Sequence, residues 1–422
     1  MTNDNVEALA AVSTLYAGIW GSGVYRSTDH GATWITVTAG LTLPMYVRGG
    51  LAVNPVTPTI LFAGDYYGGL SRAGVYRSTD GGDSWEVVLR DANIEALLVH
   101  PLTPTLVFAG DREDGLYHST DGGDSWSSTS PLTMHVQALA AAPTPPGLIY
   151  VGAGSDLYVS ANSGISWTLA STLSSTVESL AVHPTTPTLL YAGTRRHGVW
   201  RSTDGSTTWV TQTAGLPSNA WVTSIAIHPI TPTTVYAGVW QGQVYHSADG
   251  GDTWEDLGYL GNVEAVLIHP IAPSVIYAGT SNNGLFRGST LHHLTIDPIP
   301  SPQFVGRTFP ITLTACDELG FPITGPPQAQ LAALSRRDPA LAETLAAGGY
   351  NGTATLTDTT RTISPTLVTF VDGVATTDVV ITTPVCSGTI TATIPGGPAV
   401  TSNPFDVRAD VYVYLPVVIR GQ

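Results

Sequence analysis

The sequence predicts an all-β protein: a seven-bladed β-propeller followed by a β-sandwich. Three observations carry this expectation. The 422 residues include 45 Gly and 30 Pro, many Ser and Thr and only 11% charged residues, which suits short strands and tight turns. One unit recurs along the first two thirds of the chain, its YAG element or a close variant placing Gly18, Gly64, Gly110, Gly152, Gly193, Gly238 and Gly279. From about Leu294 the repeat gives way to segments that alternate apolar and polar residues between turns.

Within a unit the elements follow in order. The copy VESLAVHPTTPTLLYAGTRRHGVWRSTDGSTTW (Val177 to Trp209) reads as strand VESLAVHP, strand LLYAG, strand GVWRS, and a fourth strand from TW onward. Such short turns make the strands antiparallel neighbours, so each unit is a four-stranded meander. A lone meander leaves apolar faces wet, whereas seven packed radially bury them and leave only short edges. The seventh unit lacks a Trp turn, and Leu291–Ile296 is expected to serve as its outer strand.

The expected boundaries are a propeller over 1–293, a sandwich over 294–409 and a tail over 410–422. One discordant stretch near 328–348, QLAALSRRDPALAETLAAGG, reads as a short inserted helix, with Asp338 as N-cap, Pro339 at the first helical position and Gly348 as the stop. The two cysteines, Cys316 and Cys386, both lie in the second domain and either form one disulfide, which would argue for export, or stay as buried thiols.

Between strands three and four stands an octet whose copies match in register: STDHGATW, STDGGDSW twice, SANSGISW, STDGSTTW and SADGGDTW, beginning at Ser27, Ser78, Ser119, Ser160, Ser202 and Ser247. It resembles the Asp-box, S-x-D-x-G-x-x-W, of the BNR repeat families that include sialidases, xyloglucanases, sortilin-type receptors and a photosystem II assembly factor. The resemblance covers residues 1 to about 290 and implies a scaffold rather than an activity. It implies that Asp29, Asp80, Asp121, Asp204 and Asp249 accept backbone N–H bonds in the turn, and that Trp34, Trp85, Trp126, Trp167, Trp209 and Trp254 pack between blades. Six copies at one turn argue against catalysis there, and DGGD offers too few converging oxygens for calcium. The second domain resembles bacterial immunoglobulin-like modules through its FxITLTAxDxxGxPITG and SNPF motifs, modules that usually serve as stalks or spacers.

The formal net charge is −16, and all 16 basic residues are arginines. That field repels nucleic acid and anionic membranes, so neither is an expected partner. No apolar run reaches the length of a membrane helix, and the N-terminus has no signal-peptide pattern, so either the chain is intracellular or its signal is absent from this sequence; an extracellular or cell-surface location is expected. A monomer is expected, with no cofactor and no metal.

Functional residues are expected where the repeat dictates least. The loops between strands two and three concentrate Trp20, Tyr66, Tyr67, Arg72, Arg112, Arg195, Arg196, His197 and Trp240, and the connections between units add Tyr46, Arg48, Arg90, His135, Trp221 and Tyr259. Aromatics with arginines on a concave face suit a sugar or a peptide. Equivalent positions at the start of the first strand hold Glu7, Gly49, Glu95, Gln137, Glu178, Thr223 and Glu264, a rim for the central channel. The repeated His100, His183, His228 and His269 of HPxxP read as turn caps rather than metal ligands. The resulting reading is a binding protein whose face opposite the octets takes a glycan or protein ligand. One alternative is a glycoside hydrolase drawing on Asp65, Asp111, Glu113, Asp114, Asp156 or the rim glutamates. Another is an assembly factor that docks a protein complex through arginines.

Overall fold

The computed structural model describes residues 4–66, 74–129, 132, 135–144, 147–289, 293–299, 303–304, 308–316, 353–358, 362–371, 374–381, 385–394, 398–402 and 405–408. Tyr67, Arg72, the segment 328–348 and the tail 410–422 lie outside these residues. The described chain is strand and turn throughout, and it divides into two compact units, Met1–Gly288 and Ser289–Gln422.

The first unit is a β-propeller built of antiparallel meanders: five four-stranded sheets and one six-stranded sheet. The six-stranded sheet arises because Glu255–Ile268 runs on without a break, closing one repeat as its outer strand and opening the next as its inner strand. Each YAG glycine has a steric task at the next repeat. A Cβ on Gly18 would stand 2.3 Å from Val47, on Gly64 2.4 Å from Ile94, and on Gly152 2.8 Å from Val177. The series continues through Val136, Val222 and Val263 and ends with Gly279 against Val6, so the last repeat packs on the first. Among the described residues the ring is closed without a shared sheet, by this contact and by a bond from Tyr277 Oη to His30 O of 2.8 Å.

The octets form turns with a recurring hydrogen-bond pattern. In the first, Gly31 N and Asp29 Oδ1 meet Ser27 Oγ at 2.8 Å, and Thr33 N donates to Asp29 Oδ1 at 2.8 Å. Two successive residues take positive φ, as at Gly81 and Gly82 (77° and 96°), which glycine allows without strain. The indole N–H is satisfied within the turn, as for Trp34 on Gly31 O, or on the preceding repeat, as for Trp85 on Val37 O. The second Asp of DGGD also reaches across: Arg26 pairs with Asp83 at 2.9 Å, Arg77 with Asp124 at 2.6 Å and Arg201 with Asp252 at 2.8 Å.

Two departures from the octet test its physics. Asn162 replaces Asp, yet its Oδ1 still accepts from Ser166 N at 2.9 Å and its amide donates to Ser166 Oγ. Ser206 replaces Gly at φ 73°, fully buried, with a hydroxyl that finds no partner. Left-handed backbone costs a non-glycine residue roughly 1–2 kcal/mol, partly offset by the greater entropy that glycine loses on folding. Ser206→Gly is therefore expected to stabilise the propeller by about 1 kcal/mol; a thermal midpoint no higher than wild type would contradict this account.

Hydrogen bonds from Thr33, Ser84 and Thr253 hold the carboxyls of Asp29, Asp80 and Asp249 down at about 2. A carboxyl whose folded pKa lies below its unfolded value contributes stability above the unfolded value and loses it as pH falls through the folded one. Denaturant midpoints are thus expected to fall between about pH 4 and about pH 2, and to fall less in the triple variant Asp29→Asn, Asp80→Asn, Asp249→Asn. An equally steep decline in that variant would assign acid lability elsewhere.

The HPxxP turns cap as expected: Nδ1 of His100 accepts from Leu102 N and Thr103 N, at 3.3 and 3.1 Å, and Asn54 makes the same pair of bonds through Oδ1. Five of the six octets bond to the turn between the first and second strands of their own repeat, as Gly122 N does to Thr105 O, which puts both turn types on one face. The opposite face carries the second-to-third-strand loops.

In the second unit the described strands form three sheets, and one apolar core includes Ile311, Leu313, Leu356, Phe370 and Ile390. Here the structure corrects one expectation. His293–Ile296 does not close the seventh repeat; it pairs antiparallel with Thr308–Cys316, Leu294 opposite Ala315. Without a Trp turn, nothing brings that segment back along Gly284–Ser289, and its ladder forms with the strand downstream. Cys316 ends Thr308–Cys316 and Cys386 lies in Val385–Gly388, strands of different sheets.

Candidate functional site

The channel mouth is built by a register defect. In six first strands the pairing with the second strand skips one residue, between Val6 and Ala8, Ile94 and Ala96, Val136 and Ala138, Val177 and Ser179, Val222 and Ser224, and Val263 and Ala265. The skipped residues are Glu7, Glu95, Gln137, Glu178, Thr223 and Glu264, the rim positions of the sequence. A β-bulge leaves its extra residue out of the ladder and re-aims it; here it lines a cavity of about 240 Å3 on the axis. In the remaining repeat the position is Gly49, and the side chain of its neighbour Arg48 lines the same cavity.

Arg48 organises the charges. Its guanidinium lies 3.7 Å from Glu95 Oε1, while the other Glu95 oxygen bonds His135 Nε2. Burial opposes its charge, but Glu95, Tyr66, Glu178 and Glu7 together hold its pKa above the ordinary arginine value. Glu178 Oε1 forms an ion pair with Arg195 Nε at 3.1 Å without aligned hydrogen-bond geometry. Burial raises the Glu178 carboxyl against the pull of Arg195 and Arg48. Glu264 is raised by burial too, opposed by a hydrogen bond from Ser281 Oγ and by Arg48. Glu7, half-buried and next to Glu264, is pushed up to about 8 by desolvation and by that neighbour. Burial and the neighbouring Glu264 thus favour the protonated form of Glu7 at the rim.

Around this mouth the loops are fastened to the connections between repeats. Tyr66 N donates to Tyr46 O, Arg112 N to Asn93 O, Arg195 N to Thr176 O and Trp240 N to Trp221 O, all between 2.8 and 3.0 Å. These bonds bring the predicted ligand residues into two groups. Trp20 stands edge-on to Tyr46 at 4.8 Å between ring centroids and tilted to Tyr66 at 5.9 Å. Arg48 and Arg112 lie over the Tyr66 ring at 5.1 and 5.4 Å, and Arg112 also bonds the Tyr66 hydroxyl. In the second group Trp221 and Trp240 are 5.1 Å apart, with Arg195 over Trp221 at 4.6 Å. His197 stands apart from both, exposed and bonded to Ser174 Oγ at 3.2 Å.

The loop carboxylates are engaged otherwise. Asp111, buried, accepts from the backbone N–H groups of Asn93, Glu113 and Asp114, Asp65 from Tyr46 N, and Asp156 from the Thr172 hydroxyl. Their lone pairs shape the loops. Sequence reasoning had not placed Arg48 at the rim; the signal was Gly49, a rim position with no side chain of its own. Among the described residues, no group of three or more His, Cys, Asp and Glu is placed to hold a metal ion, and no helix is long and apolar enough to cross a membrane.

Fold and site together define a β-propeller with an aromatic and arginine-lined channel face. Among solved structures, the chain is similar to the GH74 enzyme of Niastella koreensis (16% identity, TM-score 0.58, 76% of this chain and 59% of that one). It is similar to the GH74 xyloglucanase of Xanthomonas campestris (17%, 0.59, covering 77% and 61%). It is also similar to YCF48 bound to D1 peptide (15%, 0.53, covering 68% and 94%). The chain thus spans about three fifths of the length of these GH74 enzymes. No protein-family model and no curated protein matches the sequence.

Proposed function

We propose that residues 1–288 form a seven-bladed propeller of the Asp-box type that engages a glycan on the face opposite its octets, and that an immunoglobulin-like module follows. The observation that carries the reading is the pair of aromatic–arginine groups beside the channel mouth, Trp20–Tyr46–Tyr66 with Arg48 and Arg112, and Trp221–Trp240 with Arg195. Aromatic faces stack on the C–H faces of sugars, and guanidinium groups donate to their oxygens in a rigid fork. An extracellular setting fits the resemblance of the second module.

A second reading, glycoside hydrolysis, has the GH74 neighbours on its side, more so than binding alone. Its specific support is Glu7: a carboxyl pushed up to about 8, in the direction a general acid needs, stands next to a second carboxyl, Glu264. Purified full-length chain assayed on a glycan panel separates the two. Glycan binding that Trp240→Ala weakens roughly 30-fold, without release of reducing ends, supports binding. Release of reducing ends that Glu7→Gln abolishes supports hydrolysis. Capture of a peptide with no sugar bound would refute both.

A further inference from the structure

Beside the second aromatic group, two cavities of about 510 Å3 each adjoin along the connection 217–220 and share Arg196 in their linings. Both fall within the roughly 300–1,000 Å3 of small-ligand clefts. Arg195, Trp221 and Trp240 line the first; His197 and Trp200 line the second. Neither lining contains an Asp or a Glu. In a chain of net charge −16 that local absence of acid is itself notable.

The two arginines are not equivalent. Arg195 is occupied, paired with Glu178 and stacked on Trp221. Arg196 is exposed and, among the described residues, has no carboxylate within ion-pair distance and no hydrogen-bond acceptor. The walls are fixed: Trp240 N is bonded to Trp221 O at 2.8 Å and Gln241 N to Asn262 Oδ1 at 3.1 Å. A planar five-donor fork beside two tilted indoles thus stands ready, with its charge uncompensated.

We propose that this double cavity is a subsite for an acidic sugar, a uronic acid unit whose carboxylate is taken by Arg196 while its ring lies against Trp240. The inference rests on the glycan reading above and adds the charge of the sugar. Guanidinium and carboxylate match in a bidentate geometry that a neutral hydroxyl cannot reproduce. The overall negative field of the protein repels polyanions at long range, so an acidic glycan is held only where a free cation is presented. Arg196 is such a cation.

The test is calorimetric titration of the full chain with paired oligosaccharides: oligogalacturonate and oligoglucuronate, the methyl ester of each, and neutral cello-oligosaccharides. The ester keeps the ring and loses the charge. At least one uronate is expected to bind tenfold or more tightly than its ester, as for a hydrogen bond to a charged group. Arg196→Gln, at an exposed position, erases that ratio; Arg112→Gln, in the other group, preserves it; Trp240→Ala weakens acid and ester alike. Equal affinity for acid and ester, binding of neutral sugars alone, or a ratio that survives Arg196→Gln overturns the acidic subsite and leaves the glycan reading standing. Failure of every sugar to bind overturns both.

Discussion

Replacing Gly110 by alanine is expected to destabilise the propeller by about 3 kcal/mol, the upper end of what overpacking costs. The added methyl would stand 2.5 Å from Val136 O and 2.7 Å from Val136 Cγ1. One is backbone and the other a β-branched side chain with almost no rotamer freedom, so the neighbouring repeat must move. A control is Gly288→Ala, where the nearest atom is Ile276 Cγ1 at 3.2 Å, and a cost below about 1 kcal/mol is expected. Urea denaturation gives both values from the shift in midpoint. If Gly110→Ala costs no more than the control, the glycine contact does not set how closely the repeats pack.

Arg48→Met is expected to cost about 2–3 kcal/mol near pH 7.5. Breaking a fully buried ion pair costs about 3–5 kcal/mol, and Arg48 is discounted because its side chain is 34% exposed. The variant keeps the aliphatic stem of the side chain and removes the cation that Glu7, Glu95 and Glu178 share, leaving Glu178 with Arg195 alone. The pH dependence follows from Glu7, whose folded value of about 8 lies above its ordinary 4.5. A carboxyl raised on folding contributes stability that is present below about 4.5 and lost as pH rises through about 8. Arg48 lowers Glu7, Glu178 and Glu264, so without it that loss deepens. The gap between wild type and variant should therefore widen from pH 5 to about pH 8 in denaturant titrations. A gap independent of pH would mean that Arg48 contributes packing rather than charge.

Both predictions concern features that the sequence displays only in part. The glycines of YAG recur too regularly to miss, but a strand glycine reads equally as a bulge or a close approach. The structure decides for close approach: Gly110 pairs opposite Ala96 in the ladder, while the bulge falls one position along, at Glu95. The rim was legible as a column of equivalent positions, because the repeat aligns Glu7, Glu95, Gln137, Glu178, Thr223 and Glu264. It did not reveal that they are bulge residues, or that Thr223 turns aside to donate to Val263 O at 2.7 Å. The candidate acids Asp65 and Asp111 looked free for chemistry, since a sequence does not record which backbone N–H groups a carboxylate faces.

The outer strand assigned to 291–296 shows the same limit. Four residues of alternating apolar and polar type fit any open edge, and pairing is a competition between edges distant in sequence. By itself, then, the sequence determined what repetition and local chemistry encode: meanders, octet turns, histidine caps, and the face on which the variable residues gather. Only the tertiary structure decided what depends on neighbours from other repeats. It brought Trp221 and Arg195 together, placed Arg48 among the glutamates and left Arg196 without a carboxylate, because those relations are set by packing between strands some tens of residues apart.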